Sequence, residues 1–276
     1  MTGQVALVTG GASGIGLALA GALARRGDTV VIADVDAEAG ERAAAALHPT
    51  ASAAGGRVGA VTLDVTDREA FAAVAQRVHA ERGRLDLLFN NAGIAVAGTA
   101  DELASAHWDR TIDVNLRGVV HGVQAVLPLM VQQGSGHVVT TASVAGLLTA
   151  PLMLPYTTTK HAVVGLSRAL RVEVADLGVR VTAVCPGFVR TPLLDHVNRD
   201  LPPTLASRTL GRRLQAQPRR LSDPDELAAA VLRGIARNQA LVVHPRRMWA
   251  AVGAMRVAPG LVEALGLREV RRYRRR

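Results

Sequence analysis

Short runs of aliphatic and β-branched residues alternate along this chain with longer, alanine-rich stretches that carry charge on one side. The apolar runs predict strands near 4–9, 28–34, 57–64, 85–90, 136–142, 179–185 and 240–244. The stretches between them predict helices near 14–26, 36–47, 67–82, 102–132, 155–177 and 223–237. Val5-Ala6-Leu7-Val8 and Val30-Val31-Ile32-Ala33 lack a polar residue at every second place, the pattern of strands covered on both faces. Strand and helix in alternation predict a parallel sheet with right-handed crossovers and helices on both sides. Asp67 and Asp223 stand where N-caps belong, with Pro224 at a first helical position. Residues 190–222, rich in Pro, Arg and Leu, read as a mobile insertion. Beyond Pro245 the pattern becomes short apolar segments broken by Pro259 and Gly260.

Composition narrows this picture. A chain of 276 residues with 49% apolar content has enough to fill a large core, and 3% aromatics suits closely packed Ala, Val, Leu and Gly. A single cysteine, Cys185, excludes an internal disulfide and points to a reducing compartment. Met-Thr-Gly-Gln leads straight into the first strand with no basic and apolar leader, so a cytoplasmic location is expected. Residues 118–159 contain no Asp, Glu, Lys or Arg, but Pro128, Gln132, Gln133, Gly134 and Gly136 interrupt them. They read as a buried helix followed by a buried strand, not a membrane span. The net charge of +9 is local: residues 246–276 contribute +7 and residues 199–220 contribute +5. That distribution argues against a nucleic-acid-binding domain surface.

The chemistry is most visible in one residue. Of 32 Lys and Arg residues only Lys160 is a lysine, and it follows Tyr156, one of two tyrosines, by four positions. On a helix the two share a face. A compact ammonium there, where this chain otherwise uses guanidinium, would lower the phenol's pKa by favouring its anion. Upstream, the first strand runs into Thr9-Gly10-Gly11-Ala12-Ser13-Gly14-Ile15-Gly16 and then a helix. Glycines at that turn allow a pyrophosphate to approach the free N–H groups and positive end of the helix. Asp34 ends the second strand 18 residues later, placed to accept hydrogen bonds from ribose hydroxyls and to repel a 2′-phosphate. It favours NAD over NADP. Asp64, ending the third strand beside Val65, is placed to reach the adenine.

With Asn90-Asn91-Ala92-Gly93, Asn115, Ser143, Tyr156-x-x-x-Lys160 and Pro186-Gly187 following in order, the chain resembles the short-chain dehydrogenase/reductase family over about residues 4–245. The resemblance implies a single Rossmann-type domain, with a doubly wound parallel seven-stranded sheet in the order 3-2-1-4-5-6-7. It implies a nicotinamide cofactor and gives Tyr156 the general acid/base role, with Lys160 lowering its pKa and holding the nicotinamide ribose. Ser143 would hydrogen-bond the substrate oxygen, and Asn115 would hold a water relaying protons to Lys160. Gly10, Ser13, Gly14, Ile15, Gly16, Asp34, Asp64, Val65, Asn91, Ala92 and Gly93 would line the cofactor site. Pro186, Gly187, Val189 and Thr191 would meet the nicotinamide end. No metal is expected. A homo-oligomer, dimer or tetramer, is implied through the helices near 102–132 and 155–177.

The wall after Ser143, with Phe188, Leu193 and Leu194, is overwhelmingly apolar. The expected activity is hydride transfer between the cofactor and a hydrophobic secondary alcohol or ketone. A 3-oxoacyl-thioester reductase is the alternative within the family, and a non-catalytic nucleotide-sensing protein the alternative outside it. Residues 246–276 form a basic C-terminal extension. The Arg-flanked apolar face of Met248, Trp249, Val252 and Met255 suits an anionic membrane surface or packing near the substrate loop. Packing is expected for 246–268, because the segment is short and split by Pro259. The closing Arg run is expected to be solvated and its removal to be neutral.

Overall fold

A computed structural model describes residues 3–216 and 221–275. All seven expected strands form: β1 (Val5–Thr9), β2 (Thr29–Asp34), β3 (Arg57–Thr62), β4 (Leu87–Asn90), β5 (Gly136–Thr141), β6 (Val179–Pro186) and β7 (Leu241–His244). They make one parallel sheet in the order β3-β2-β1-β4-β5-β6-β7. The period-2 geometry of a strand divides its apolar residues between two cores. Ala6 and Val8 pack with helices α1 (Gly14–Arg26), α2 (Ala37–Ala53) and α8 (Pro224–Ala236). Val5 and Leu7 pack on the opposite face with α3 (Arg68–Arg82), α5 (Gly118–Gln133) and α6 (Leu154–Glu173). The order reverses between β1 and β4, so a crevice opens at the carboxyl ends of the strands, the place where such sheets bind ligands.

Asp67 and Asp223 cap as expected, accepting from Ala70 N and Asp225 N at 2.8 Å each. Other boundaries shift for identifiable reasons. Helix α2 continues through Pro49 to Ala53 because Ala51 is fully buried and His48 Nδ1 bonds Val58 O at 3.1 Å. The long helix expected over 102–132 consists of α4 (Ser105–Ile112), a π-helical turn (Asp113–Arg117) and α5. Its apolar stretch is long enough to cross a membrane by length and composition, yet Val126 and Met130 are core residues against the sheet and β5 follows. Helix α6 ends at Glu173, short of the expected 177.

The expected insertion contains helix α7 (Leu205–Gln215). Arg219 and Arg220, part of its basic charge, lie outside the described residues, as does Arg276. The tail differs most from expectation. It folds into α9 (Met248–Val257) and α10 (Pro259–Arg274), meeting at 114°. Pro259 begins a helix instead of breaking a segment, since a first-turn proline lacks only an N–H that would have had no helical partner. The closing run is not wholly solvated: Tyr273 is 4% exposed. Val262, Gly266 and Tyr273 fall on one stripe of α10, which turns the tyrosine inward while the arginines beside it point out.

Candidate active site

The crevice is a cleft of about 830 Å³. At one end the backbone builds it. Gly10 has φ +61°, and a Cβ there would sit 2.9 Å from Ala92 Cα. A Cβ on Gly16 would strike the Gly10 carbonyl, so Gly16 lies behind the turn and not in the cleft lining. Thr9 Oγ1 accepts from Asn91 N at 3.0 Å and Ala92 N at 3.1 Å, and Asn91 Nδ2 donates to Thr9 O at 3.1 Å. The β1 and β4 ends are thereby locked together. Ser13, Gly14 and Ile15 line the cleft where α1 begins.

Asp34 accepts from Ala12 N at 3.0 Å through Oδ2 and from Asp36 N at 3.2 Å through Oδ1. It thus holds the glycine-rich turn while each oxygen keeps a further lone pair. Burial pushes Asp64 upward, but hydrogen bonds from Thr66 N and Oγ1 at 2.9 and 2.8 Å, with the Arg110 charge, keep it below its ordinary pKa. The cradle is shaped for a dinucleotide: anion-binding N–H groups, space that a Cβ would fill, and a carboxylate at the second strand.

At the other end Ser143, Tyr156 and Lys160 share the cleft with Pro186, Gly187, Val189 and Thr191. Tyr156 and Lys160 lie in the first two turns of α6, and Ser143 just beyond β5. Ser143 Oγ donates to Pro186 O at 3.3 Å, accepts from Ala145 N at 3.1 Å and is hydrogen-bonded to the Tyr156 phenol. Lys160 Nζ lies 5.5 Å from the Tyr156 ring centre and donates to Thr141 O at 2.8 Å. Burial drives Lys160 down to about 8. Burial also raises the Tyr156 phenol, which the Ser143 hydrogen bond only partly offsets. The expected lowering of the phenol by the ammonium does not appear: desolvation dominates and the net shift is upward. Cys185, fully buried beneath them, is pushed up to about 12 by burial and stays a neutral thiol.

Asn115 occupies the π-helical turn and is fully buried, but it does not line the cleft. Its Oδ1 accepts from Ile94 N at 2.8 Å and its Nδ2 donates to Ile94 O at 3.0 Å. The carboxamide thus fixes the loop segment leaving Gly93. A Cβ on Gly93 would lie 3.1 Å from Asn115 Oδ1 and 3.5 Å from Lys160 Nζ, so only a glycine backbone separates the two side chains.

The short chain dehydrogenase family profile matches residues 4–202. This chain belongs to the short-chain dehydrogenase/reductase family. It is 38% identical to the oxidoreductase UcpA of Escherichia coli over 229 residues, 82% of this chain and 85% of the relative. It is 37% identical to the levodione reductase of Leifsonia aquatica over 232 residues, 83% and 86% of the two chains. A crystal structure of a short-chain dehydrogenase/reductase from Burkholderia phymatum in complex with NAD superposes with a TM-score of 0.85 at 33% identity, covering 94% of this chain and 95% of that one.

Several cleft residues of this short-chain dehydrogenase/reductase escape sequence reasoning. Arg110 faces Asp64 from α4, and Ala97, Ala206, Glu269 and Tyr273 line the substrate end. Only Tyr273 leaves a trace, the inward stripe of α10, and that stripe emerges only with the fold.

Proposed function

We propose that this protein oxidises a hydrophobic secondary alcohol, or reduces the matching ketone, with NAD. The observation that carries the reading is the convergence of Ser143, Tyr156 and Lys160 on the cleft that also holds the glycine-rich turn and Asp34. A bound nicotinamide supplies the hydride acceptor or donor. Gly10, Ser13, Gly14, Ile15, Asp34, Asp64, Val65 and Asn91 to Gly93 would hold the adenosine and pyrophosphate, and Pro186, Gly187, Val189 and Thr191 the nicotinamide end.

Ser143 orients the substrate oxygen by a hydrogen bond. In oxidation the Tyr156 phenolate takes the alcohol proton, and in reduction the phenol returns it. The raised Tyr156 pKa leaves the neutral phenol dominant near neutrality, ready to donate. Reduction should therefore run near neutral pH, and oxidation should rise on the alkaline side as the phenol ionises. Lys160 contributes an ammonium that loses its proton at about 8, and Asn115 holds the backbone between itself and that ammonium. Cleft-lining Val144, Leu148, Met153, Phe188 and Met248 select an apolar substrate body. The reading includes a homo-oligomer assembled through the α4–α5 segment and α6, which sedimentation would measure.

The test is a panel of secondary alcohols, ketones and 3-oxoacyl thioesters assayed with NAD(H) and NADP(H). Turnover of apolar alcohols with an NAD preference supports the reading. Turnover confined to the thioesters with NADPH contradicts it.

A further inference from the structure

Three separate segments meet at the substrate end of the cleft. They are the loop after β4, the insertion with α7, and the C-terminal α10. One carboxylate joins all three. Glu102 Oε2 accepts from Thr99 N at 2.9 Å and Thr99 Oγ1 at 3.1 Å, within the first segment. Glu102 Oε1 accepts from Leu205 N at 3.1 Å, at the start of α7. The Tyr273 hydroxyl donates to both oxygens, at 3.2 and 3.0 Å. Burial would raise the Glu102 pKa, but these hydrogen bonds bring it below its ordinary value, so the acceptor stays ionised near neutrality. Hydrogen bonds to an ionised acceptor are the stronger kind.

The ring below that hydroxyl is part of the cavity wall. Tyr273 forms an apolar cluster with Ala97 and Ala206, against which Leu152, Met153, Val197 and Leu210 pack. Leu152 and Met153 lie just ahead of Tyr156 in the chain, and Ala97 follows Gly93 closely. Tyr273 also faces the cleft itself. Two further contacts seat the helix that carries it. A Cβ on Gly266 would lie 3.1 Å from Pro151, and Arg274 pairs with Asp101 at 3.5 Å on the outside.

We infer that Tyr273 is a specificity-determining residue of the substrate pocket, its ring limiting the size of the apolar group admitted, and that Glu102 is the positioning residue that fixes the ring by clasping three walls. The inference rests on the cleft being an alcohol/ketone site, and its logic is volume. An aromatic ring that fills part of an apolar wall excludes bulk there, and a smaller side chain admits it. Pocket changes of one or a few carbons shift selectivity by about tenfold or more. Removing only the hydroxyl keeps the ring and loosens its anchor.

The experiment compares wild type, Tyr273→Ala, Tyr273→Phe and Glu102→Gln on linear 2-ketones from butanone to dodecanone with NADH. It measures kcat and KM, and the melting shift that each ketone gives the NADH-loaded protein. Tyr273→Ala should raise the dodecanone-to-butanone ratio of kcat/KM by at least about tenfold, mainly through KM. Tyr273→Phe should keep the ratio within about twofold, and Glu102→Gln should raise KM across the series with little change in kcat. A parallel loss on every ketone, with the ratio unmoved in Tyr273→Ala, overturns the inference. If that variant does not fold, Tyr273→Leu carries the same comparison. If wild type turns over no ketone, the proposed activity fails; length-dependent melting shifts that change with Tyr273 would still uphold the wall, and shifts indifferent to it would overturn the wall as well.

Discussion

The two ends of one cleft are made by different means. The cofactor end is backbone: glycines packed against carbonyls, and Thr9 and Asn91 tying two strand ends together. The substrate end is side chain, assembled from segments as far apart as Glu102 and Tyr273 and closed by hydrogen bonds. A backbone site has no slack, because a single Cβ meets atoms that cannot move. A side-chain site can be resized one residue at a time without touching the strands beneath. Binding the common cofactor and choosing among substrates are thus separable properties of this fold, and substitutions at the two ends should fail in different ways.

The largest effect is expected at Gly16→Val. The added side chain would collide with the Gly10 carbonyl, and NADH affinity should fall by at least about a hundredfold, the scale of 3 kcal/mol. Titration of NADH fluorescence measures it, and near-normal affinity would mean that the turn is softer than this contrast requires. Next comes Lys160→Arg. Lys160 is 3% exposed and held to Thr141 O, so a planar, longer guanidinium has neither the room nor the single-point donor geometry. A loss of about a hundredfold in kcat is expected, and an enzyme keeping most of its rate would reduce the lone lysine to coincidence. Asp34→Ser should lower the NAD-to-NADP ratio of kcat/KM by at least about tenfold, a 1.4 kcal/mol change, while leaving ketone selectivity as it was. A change in selectivity with that substitution would show that the ends are coupled.

The last effect is on stability and concerns the frame under both ends. His137 on β5 donates through Nε2 to Thr182 Oγ1 at 2.8 Å, and Thr182 Oγ1 donates to Gln239 O at 2.6 Å. Burial, with Arg180 and Arg171 nearby, depresses His137 from 6.5 to about 4. Between those values the unfolded chain binds the proton and the folded one resists it. The stability due to this residue is therefore whole above pH 6.5 and declines as pH falls toward 4, by about 3 kcal/mol at most. Urea midpoints for wild type and His137→Gln across that window measure it. The acid limb should be shallower in the variant, and both ends of the cleft should be lost together.

How far the sequence could be read follows the same division. Val5 to Val8 and Val30 to Ala33 announce buried parallel strands, the turn and Asp34 name the cofactor end because the backbone there demands particular residue types, and the Tyr156/Lys160 spacing names the catalytic pair at the other end. The π-helical turn around Asn115 has no such signature, and its bonds to Ile94 are tertiary. The upward shift of the Tyr156 phenol likewise depends on its burial, not on spacing. Pro49 and Pro259 look like breakers, yet packing of Ala51 carries one helix past its proline and the other proline opens a helix. In the tail, the charge count from 271 to 276 reads as solvated, and the inward stripe of Val262, Gly266 and Tyr273 emerges only with the fold. The contact with Glu102, more than half the chain away, helps hold Tyr273 inward.

The most direct measurement of the central claim, that Tyr156 moves the substrate proton in a cleft otherwise built to hold a nicotinamide cofactor, is a paired assay of Tyr156→Phe. NADH binding, followed by titration, should remain close to wild type, while kcat for the best substrate falls by at least about a hundredfold. A variant that keeps more than about a tenth of the wild-type kcat would contradict the account and remove Tyr156 from the acid/base role.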